Sequence, residues 1–294
     1  MNRIRTDDGI DLAAFEAGQG DAILFVHEFA GDAESWEPQV RYFSRSYRCV
    51  AYNARGYPPS SIPDDPRAYS QDRAVKDAVA VLDAMQVERA HVVGLSMGGF
   101  ATLHLGLRHP GRVRSLTIAS AGYGADPAKR AQFRAETDRM ADAMERNFAE
   151  AADAYAHSTA RIQYKNKDPR GFAVFRDRLL AHSPEGAART LRGVQRDRPS
   201  LWDFIDDMRC CDLPALILAG DEDDPCLEPA LLLKRNMPGA GLAVMPMAGH
   251  TLNIEEPDLF NRTLADFLHR VERGRWPRHE GGGTDGSTFG VEKK

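Results

Sequence analysis

The chain has 294 residues, of which 43% are hydrophobic and 28% charged. This composition excludes disordered, collagenous and coiled-coil classes and fits either two domains or one large α/β domain carrying an insertion. The 38 basic and 43 acidic residues sum to a charge of −5, so the basic footprint that phosphate-backbone binding requires is missing and no nucleic-acid partner is expected.

The four cysteines, Cys49, Cys210, Cys211 and Cys226, are too few for a disulfide scaffold and lack the repeated spacing of a zinc site. They predict reduced thiols in a cytoplasmic protein with no metal. Residues 1–8 have no signal-like apolar core, and no apolar run approaches the roughly 20 residues of a membrane span, so no membrane partner is expected either. Oligomeric state is left open, a homodimer included.

Residues 10–17 alternate apolar and polar side chains, Ala22–Val26 is continuously apolar, and residues 47–52 form a third strand candidate. Between the second and third, Ser35-Trp36-Glu37-Pro38 opens a helix that carries Val40 and Phe43 on one face, with proline tolerated in the first turn. Val75, Val79, Leu82 and Met85 recur at helical spacing and lead into a strand over Ala90–Leu95. Residues 115–120, Ala215–Gly220 and residues 242–245 are further apolar runs. Strands this apolar belong in a parallel sheet covered on both faces, with crossover helices between them. The expected class is therefore α/β, with a mostly parallel central sheet and helices on both faces.

Residues 124–208 break that rhythm, with helical spacing at Phe133, Met140, Met144 and Phe148 and no strand candidate before Pro214. The expected organisation is a core of residues 1–123 and 209–272 with a helical cap, residues 124–208, inserted between two strands. Residues 273–294 are glycine-rich from Glu280 onward and lack an apolar face, which predicts a disordered tail.

The most informative motif is Gly94-Leu95-Ser96-Met97-Gly98-Gly99, placed directly after a predicted strand and before a predicted helix. A G-x-S-x-G pentapeptide alone is a weak signal, and a plain glycine-rich turn is the alternative. At a strand-to-helix turn, however, small flanking residues let the backbone bend sharply enough to lift the serine hydroxyl clear of the sheet. The helix N-terminus behind it offers free N–H groups to negative charge.

With this motif the sequence resembles the α/β-hydrolase superfamily over nearly its whole length. Val26-His27-Glu28-Phe29-Ala30-Gly31 is similar to that family's His-Gly oxyanion loop, with Glu28 where a glycine is usual. Tyr52-Asn53-Ala54-Arg55-Gly56-Tyr57 is similar to its Asp-x-Arg-Gly-aromatic segment, with Asn53 where an aspartate is usual.

Ser96 needs a base to remove its proton. Of nine histidines, His250 follows the strand over residues 242–245 and so reaches the carboxyl edge of the sheet, where functional groups of such sheets gather. His27 lies within the oxyanion-loop motif, where shaping the loop is the expected role. The base in turn needs a carboxylate to fix its tautomer and stabilise the imidazolium. Gly220-Asp221-Glu222-Asp223-Asp224 offers four; the family pattern selects Asp223, with Asp224 and Asp221 as alternatives that would otherwise be solvated turn residues or helix caps. The resemblance also assigns the oxyanion hole to the backbone N–H groups of Phe29 and Met97.

Glu28 reads either as a group that hydrogen-bonds substrate or pairs with Arg55, or as a solvated loop carboxylate. Asn53 reads as a turn cap. Glu28, Tyr123, Met144, Phe148 and Trp202 are candidate pocket residues, although methionine and aromatic residues at helical spacing more often fill cores.

The resemblance implies a serine hydrolase without a cofactor that cleaves an ester, thioester or lactone of a small apolar molecule. Carbon–carbon bond hydrolysis or perhydrolysis by the same triad is the enzymatic alternative, and a small-ligand receptor on the same fold is the alternative of a different class.

Overall fold

The computed structural model describes residues 1–278. Eight strands form one sheet: β1 (Asn2–Arg5), β2 (Asp11–Ala17), β3 (Ala22–Val26), β4 (Arg48–Asn53), β5 (Ala90–Leu95), β6 (Val113–Ala119), β7 (Ala215–Gly220) and β8 (Ala240–Met245). Their spatial order is β1-β2-β4-β3-β5-β6-β7-β8. The first two pairings, β1 with β2 and β2 with β4, are antiparallel, and the rest are parallel.

The expected strands are present, some displaced by a residue or two. β1 was not expected from the sequence: only Ile4 of its four residues is buried, so the segment has no periodic signal. The chain runs from β3 to β4 on one side and then crosses back to β5 on the other. Loops leaving the carboxyl ends of β3 and β5 therefore diverge and open a crevice, the usual ligand position in such a sheet.

β3, β5 and β7 are buried along their whole length because helices cover both faces. Against one face pack α2 (Gln71–Ala84), α3 (Met97–Arg108) and α10 (Asp224–Asn236), through Val75, Val81, Phe100, Leu105, Ala230 and Leu233 among others. Against the other pack α1 (Glu37–Phe43) and α12 (Pro257–Glu272), through Phe43, Phe260, Leu264 and Phe267, with Trp36 beside them. The side-chain amide of Gln39 on α1 donates to Asn253 O at 2.9 Å and to Asn261 Oδ1 at 3.0 Å, joining α1 to α11 (Leu252–Glu255) and α12.

Between β6 and β7 the chain makes six helices and no strand: α4 (Arg130–Arg146), α5 (Phe148–Ala156), α6 (Ile162–Lys167), α7 (Pro169–Leu180), α8 (Pro184–Thr190) and α9 (Ile205–Arg209). Helices α4 to α8 build a third apolar cluster that takes in Phe29, Ala30, Tyr57 and Met97 from the loops and helix start beyond β3, β4 and β5. Residues 201–209 pack elsewhere: Leu201, Trp202, Phe204 and Met208 join the cluster around α3 and α10.

At the other end of the chain, part of the stretch expected to be a disordered tail is docked. The Trp276 indole donates to Gly239 O at 2.8 Å and meets the Phe267 ring edge-on at 4.7 Å. A single large aromatic anchors this segment, which composition averaged over residues 273–294 conceals. Residues 279–294 lie outside the described residues. Among the described residues no helix is long and apolar enough to cross a membrane.

Candidate active site

Ser96 stands between β5 and α3 with φ +53° and ψ −111°, a left-handed conformation that a non-glycine residue adopts only under constraint. The constraint is visible around it. The Ser96 N–H donates to Ala119 O on the neighbouring strand at 2.8 Å, and α3 must leave at once beneath the β3 loop. A Cβ at Gly98 would stand 2.0 Å from Val26 O, and one at Gly94 would stand 2.2 Å from Gly98 O, so only glycine allows this approach. Ser96 is partly exposed amid buried neighbours.

His250 comes from the loop after β8. Its Nδ1 is 2.8 Å from Asp223 Oδ2, so the tautomer that donates to the carboxylate leaves Nε2 as the free basic atom. Asp223, on the turn between β7 and α10, is 2% exposed. Burial works against its ionisation, but the neighbouring His250, through charge and hydrogen bond, holds the carboxyl below its usual range.

The adjacent carboxylates have other places. Asp221 accepts the Ala248 N–H at 3.1 Å and ties the two loops together, while Glu222 and Asp224 are exposed. The base loop is also held from the helical insertion, since His250 N–H donates to Ala160 O at 2.9 Å. Gly249 N–H meets the buried Glu255 carboxylate at 3.0 Å, and Lys167 of α6 pairs with that carboxylate at 3.2 Å.

Met97 is the first residue of α3, so its N–H lies ahead of the intrahelical ladder. The Phe29 N–H has no acceptor among the described residues, and Phe29 O accepts from the Tyr57 hydroxyl at 2.9 Å. Neither amide has an acceptor among the described residues. His27 has the shaping role expected of it, with Nδ1 2.7 Å from Glu28 O and Nε2 accepting the Ala54 N–H at 3.0 Å.

Two expectations are corrected. Glu28 does not pair with Arg55 and is not solvated: it is 2% exposed and accepts from Arg161 Nη2 at 2.7 Å, with its Oε2 3.9 Å from His250 Nε2. Arg55 is already consumed by the buried Asp77 at 2.7 Å and by Asp8 at 2.9 Å. Asn53 is more than a turn cap. It accepts the Ala33 N–H at 2.8 Å and donates to Pro58 O at 2.6 Å, joining two loops.

Of the candidate pocket residues, Glu28, Met144 and Phe148 come together with Phe29 and Met97 in or beside the third cluster. Tyr123 and Trp202 do not. Tyr123 is 43% exposed, packs edge-on to Phe133 and bonds Glu136 through its hydroxyl, while Trp202 packs on the sheet-side core.

Sequence reading missed Arg161 and Arg198. Arg161 lies over the Tyr155 ring at 4.6 Å. Arg198 is 3% exposed and lies 3.9 Å over the Phe100 ring, with no carboxylate at ion-pair distance among the described residues; burial lowers its pKa to about 9. Only their place in the folded chain marks them. Near Ser96 a cavity of about 30 Å³ is lined by His27, Tyr57, Met97 and Gly98 and touches neither Ser96 nor His250.

Asp223, Cys226 and His250 present possible ligand atoms within 4.8 Å of one another. The set suits a metal poorly. The Asp223–His250 hydrogen bond already occupies two of the three, and burial pushes the Cys226 thiol well above its usual pKa, away from the thiolate a metal requires.

Comparison with known proteins identifies the family. A family model described as the alpha/beta hydrolase fold matches residues 21–257. The chain is 27% identical over 256 residues to 3-oxoadipate enol-lactonase 1 of Acinetobacter baylyi, covering 85% of this chain and 90% of that one. It is 27% identical over 264 residues to 2-hydroxy-6-oxo-6-phenylhexa-2,4-dienoate hydrolase of Burkholderia cepacia, covering 86% and 89%. Among solved structures, a hydrolase from Pseudomonas aeruginosa PA01 superposes with a TM-score of 0.80 at 27% identity, covering 91% of this chain and 97% of the other. Sheet order, elbow and family match together establish that the chain belongs to the α/β-hydrolase fold family.

Proposed function

We propose that this protein is a serine hydrolase that cleaves an ester, thioester or lactone of a small molecule without a cofactor. The observation that carries the reading is the buried Asp223–His250 pair, 2.8 Å apart, presented at the same sheet edge as the elbow residue Ser96. In the proposed cycle the Ser96 hydroxyl attacks the substrate carbonyl while His250 Nε2 takes its proton. The amides of Phe29 and Met97 receive the oxyanion, each contributing on the order of 3 kcal/mol to the transition state. His250 then protonates the leaving group, and water, deprotonated by the same nitrogen, releases the acyl group and restores Ser96.

Residues 124–200 act in this reading as a cap, residues 201–208 of the expected insertion packing with the core. The apolar cluster that Met144 and Phe148 share with Phe29 and Met97 supports it, and these side chains supply the apolar wall in this reading. Similarity to an enol-lactonase supports lactone or ester cleavage. Carbon–carbon bond hydrolysis by the same residues is a second reading, supported by similarity to the dienoate hydrolase.

The test is hydrolysis of a short p-nitrophenyl ester series in metal-free buffer with EDTA, comparing wild type with Ser96→Ala. Turnover should survive chelation and disappear in the variant, with its melting temperature retained. Turnover by a folded Ser96→Ala at the wild-type rate overturns the reading, and loss on chelation overturns its cofactor independence.

A further inference from the structure

Arg161 closes a short turn between α5 and α6 and is 2% exposed. Its guanidinium is caged by the Tyr155 ring at 4.6 Å and the Phe175 ring at 5.6 Å. Glu28, at 2.7 Å, is its ion-pair partner among the described residues.

That pairing leaves much of the guanidinium unused. An arginine presents five N–H donors in a planar fork. Here Nε–H has no acceptor among the described residues, Nη1 meets the Ser158 hydroxyl at a long 3.5 Å, and the Tyr155 hydroxyl is a further polar neighbour of the guanidinium. A buried donor without an acceptor does not recover its desolvation, so the unused Arg161 donors can be satisfied by an oxygen from outside the chain.

The location says whose oxygen that is. The Glu28 atom that holds Arg161 is also 3.9 Å from His250 Nε2, and the next residue, Phe29, carries one of the proposed oxyanion amides. The guanidinium is separated from the base by one carboxylate. A molecule whose carbonyl lies at Ser96 therefore comes within reach of Arg161 a few bonds away.

We propose that Arg161 is the anion-recognition residue of this site and that the substrate carries a carboxylate a short carbon chain from the bond that is cleaved, an inference that rests on the hydrolase reading above. A carboxylate meets these unused donors with charge-assisted hydrogen bonds, which are stronger than those a neutral carbonyl or alcohol makes. Glu28 keeps the guanidinium oriented and neutralised while the site is empty. The aromatic cage excludes the water that would otherwise weaken the charge-assisted bonds.

Monoethyl glutarate and ethyl butyrate, followed by ethanol release, separate the anionic from the neutral ester. Wild type should favour the hemiester by at least about 10-fold in kcat/KM, and Arg161→Met should lower the hemiester-to-neutral ratio by about 100-fold, chiefly through KM of the hemiester. Arg161→Lys should recover part of the ratio. Because Arg161→Met strands a buried Glu28, wild-type protein supplies a second readout: glutarate should inhibit ethyl butyrate hydrolysis competitively where butyramide at the same concentration does not.

Equal treatment of the two esters by wild type, an equal fall for both in Arg161→Met, or equal inhibition by glutarate and butyramide would overturn the assignment. Fluorophosphonate labelling run in parallel keeps the two ideas apart. Labelled Ser96 with no preference for the hemiester sinks the Arg161 inference alone; unlabelled Ser96 sinks the hydrolase reading.

Discussion

Four consecutive carboxylates at residues 221–224 show how finely the candidate site depends on single positions: Asp223 is buried and bonded to His250, while its neighbours face solvent. Asp223→Asn should lower kcat by about four orders of magnitude, because a neutral amide neither fixes the tautomer nor stabilises the imidazolium. Asp224→Asn should cost less than about threefold, since it only removes an exposed charge. A large loss at Asp224 instead, measured on the same ester, would reassign the acid. The sequence was legible here because a strand, a glycine and an acidic turn lie within a few residues of one another. Glu28 was legible only as an oddity. Its partner Arg161 lies 133 residues away in the helical insertion, and no local spacing reports a pair that only the folded chain assembles. Arg55, the near candidate, was already held by Asp77, and Arg55→Ala should destabilise the fold by about 3 to 5 kcal/mol by leaving that buried carboxylate unpaired. Urea denaturation measures this; a loss below about 1 kcal/mol would contradict the buried network.

At the scale of elements, the apolar strands and the helix-rich insertion could be read directly because both are patterns of neighbouring residues. Which face each insertion helix buries could not. Met144 is fully buried in the cluster of the insertion helices that also takes in Phe29, whereas Trp202, equally apolar in sequence, packs with α3 and α10 because the chain has already returned to the core by residue 201. These places predict different phenotypes. Met144→Ala and Phe148→Ala should change the ranking of acyl-chain lengths, at about 1 to 3 kcal/mol of discrimination per lost methylene contact. Trp202→Ala should lower stability and leave the ranking intact. Rate constants across acetyl to octanoyl esters decide it; an unchanged ranking in all three would make Met144 and Phe148 packing residues. The insertion also bonds the base loop through Ala160 and Lys167, so its position and that of His250 are mechanically joined.

Across the whole molecule, burial of ionisable groups sets a pH window. Burial chiefly lowers the pKa values of His91, His104 and His182 to about 4 each, so all three are neutral in the folded chain at pH 6. In the unfolded chain they titrate near 6.5. Below that value the unfolded state binds more protons, and stability should fall by on the order of 1 kcal/mol per pH unit per histidine until the folded values are reached. Denaturation midpoints should therefore hold between pH 8 and 7 and drop from about 6.5 toward 4; a midpoint unchanged between pH 7 and 5 would contradict the burial of these rings. The central claim remains that sheet, elbow and loops converge to make Ser96 a nucleophile, and a fluorophosphonate followed by intact-mass and peptide analysis tests it most directly. The account predicts one adduct per chain, located on Ser96, absent in Ser96→Ala and strongly slowed in His250→Ala. An unmodified Ser96 in folded wild-type protein, or an adduct that persists in Ser96→Ala, would contradict it.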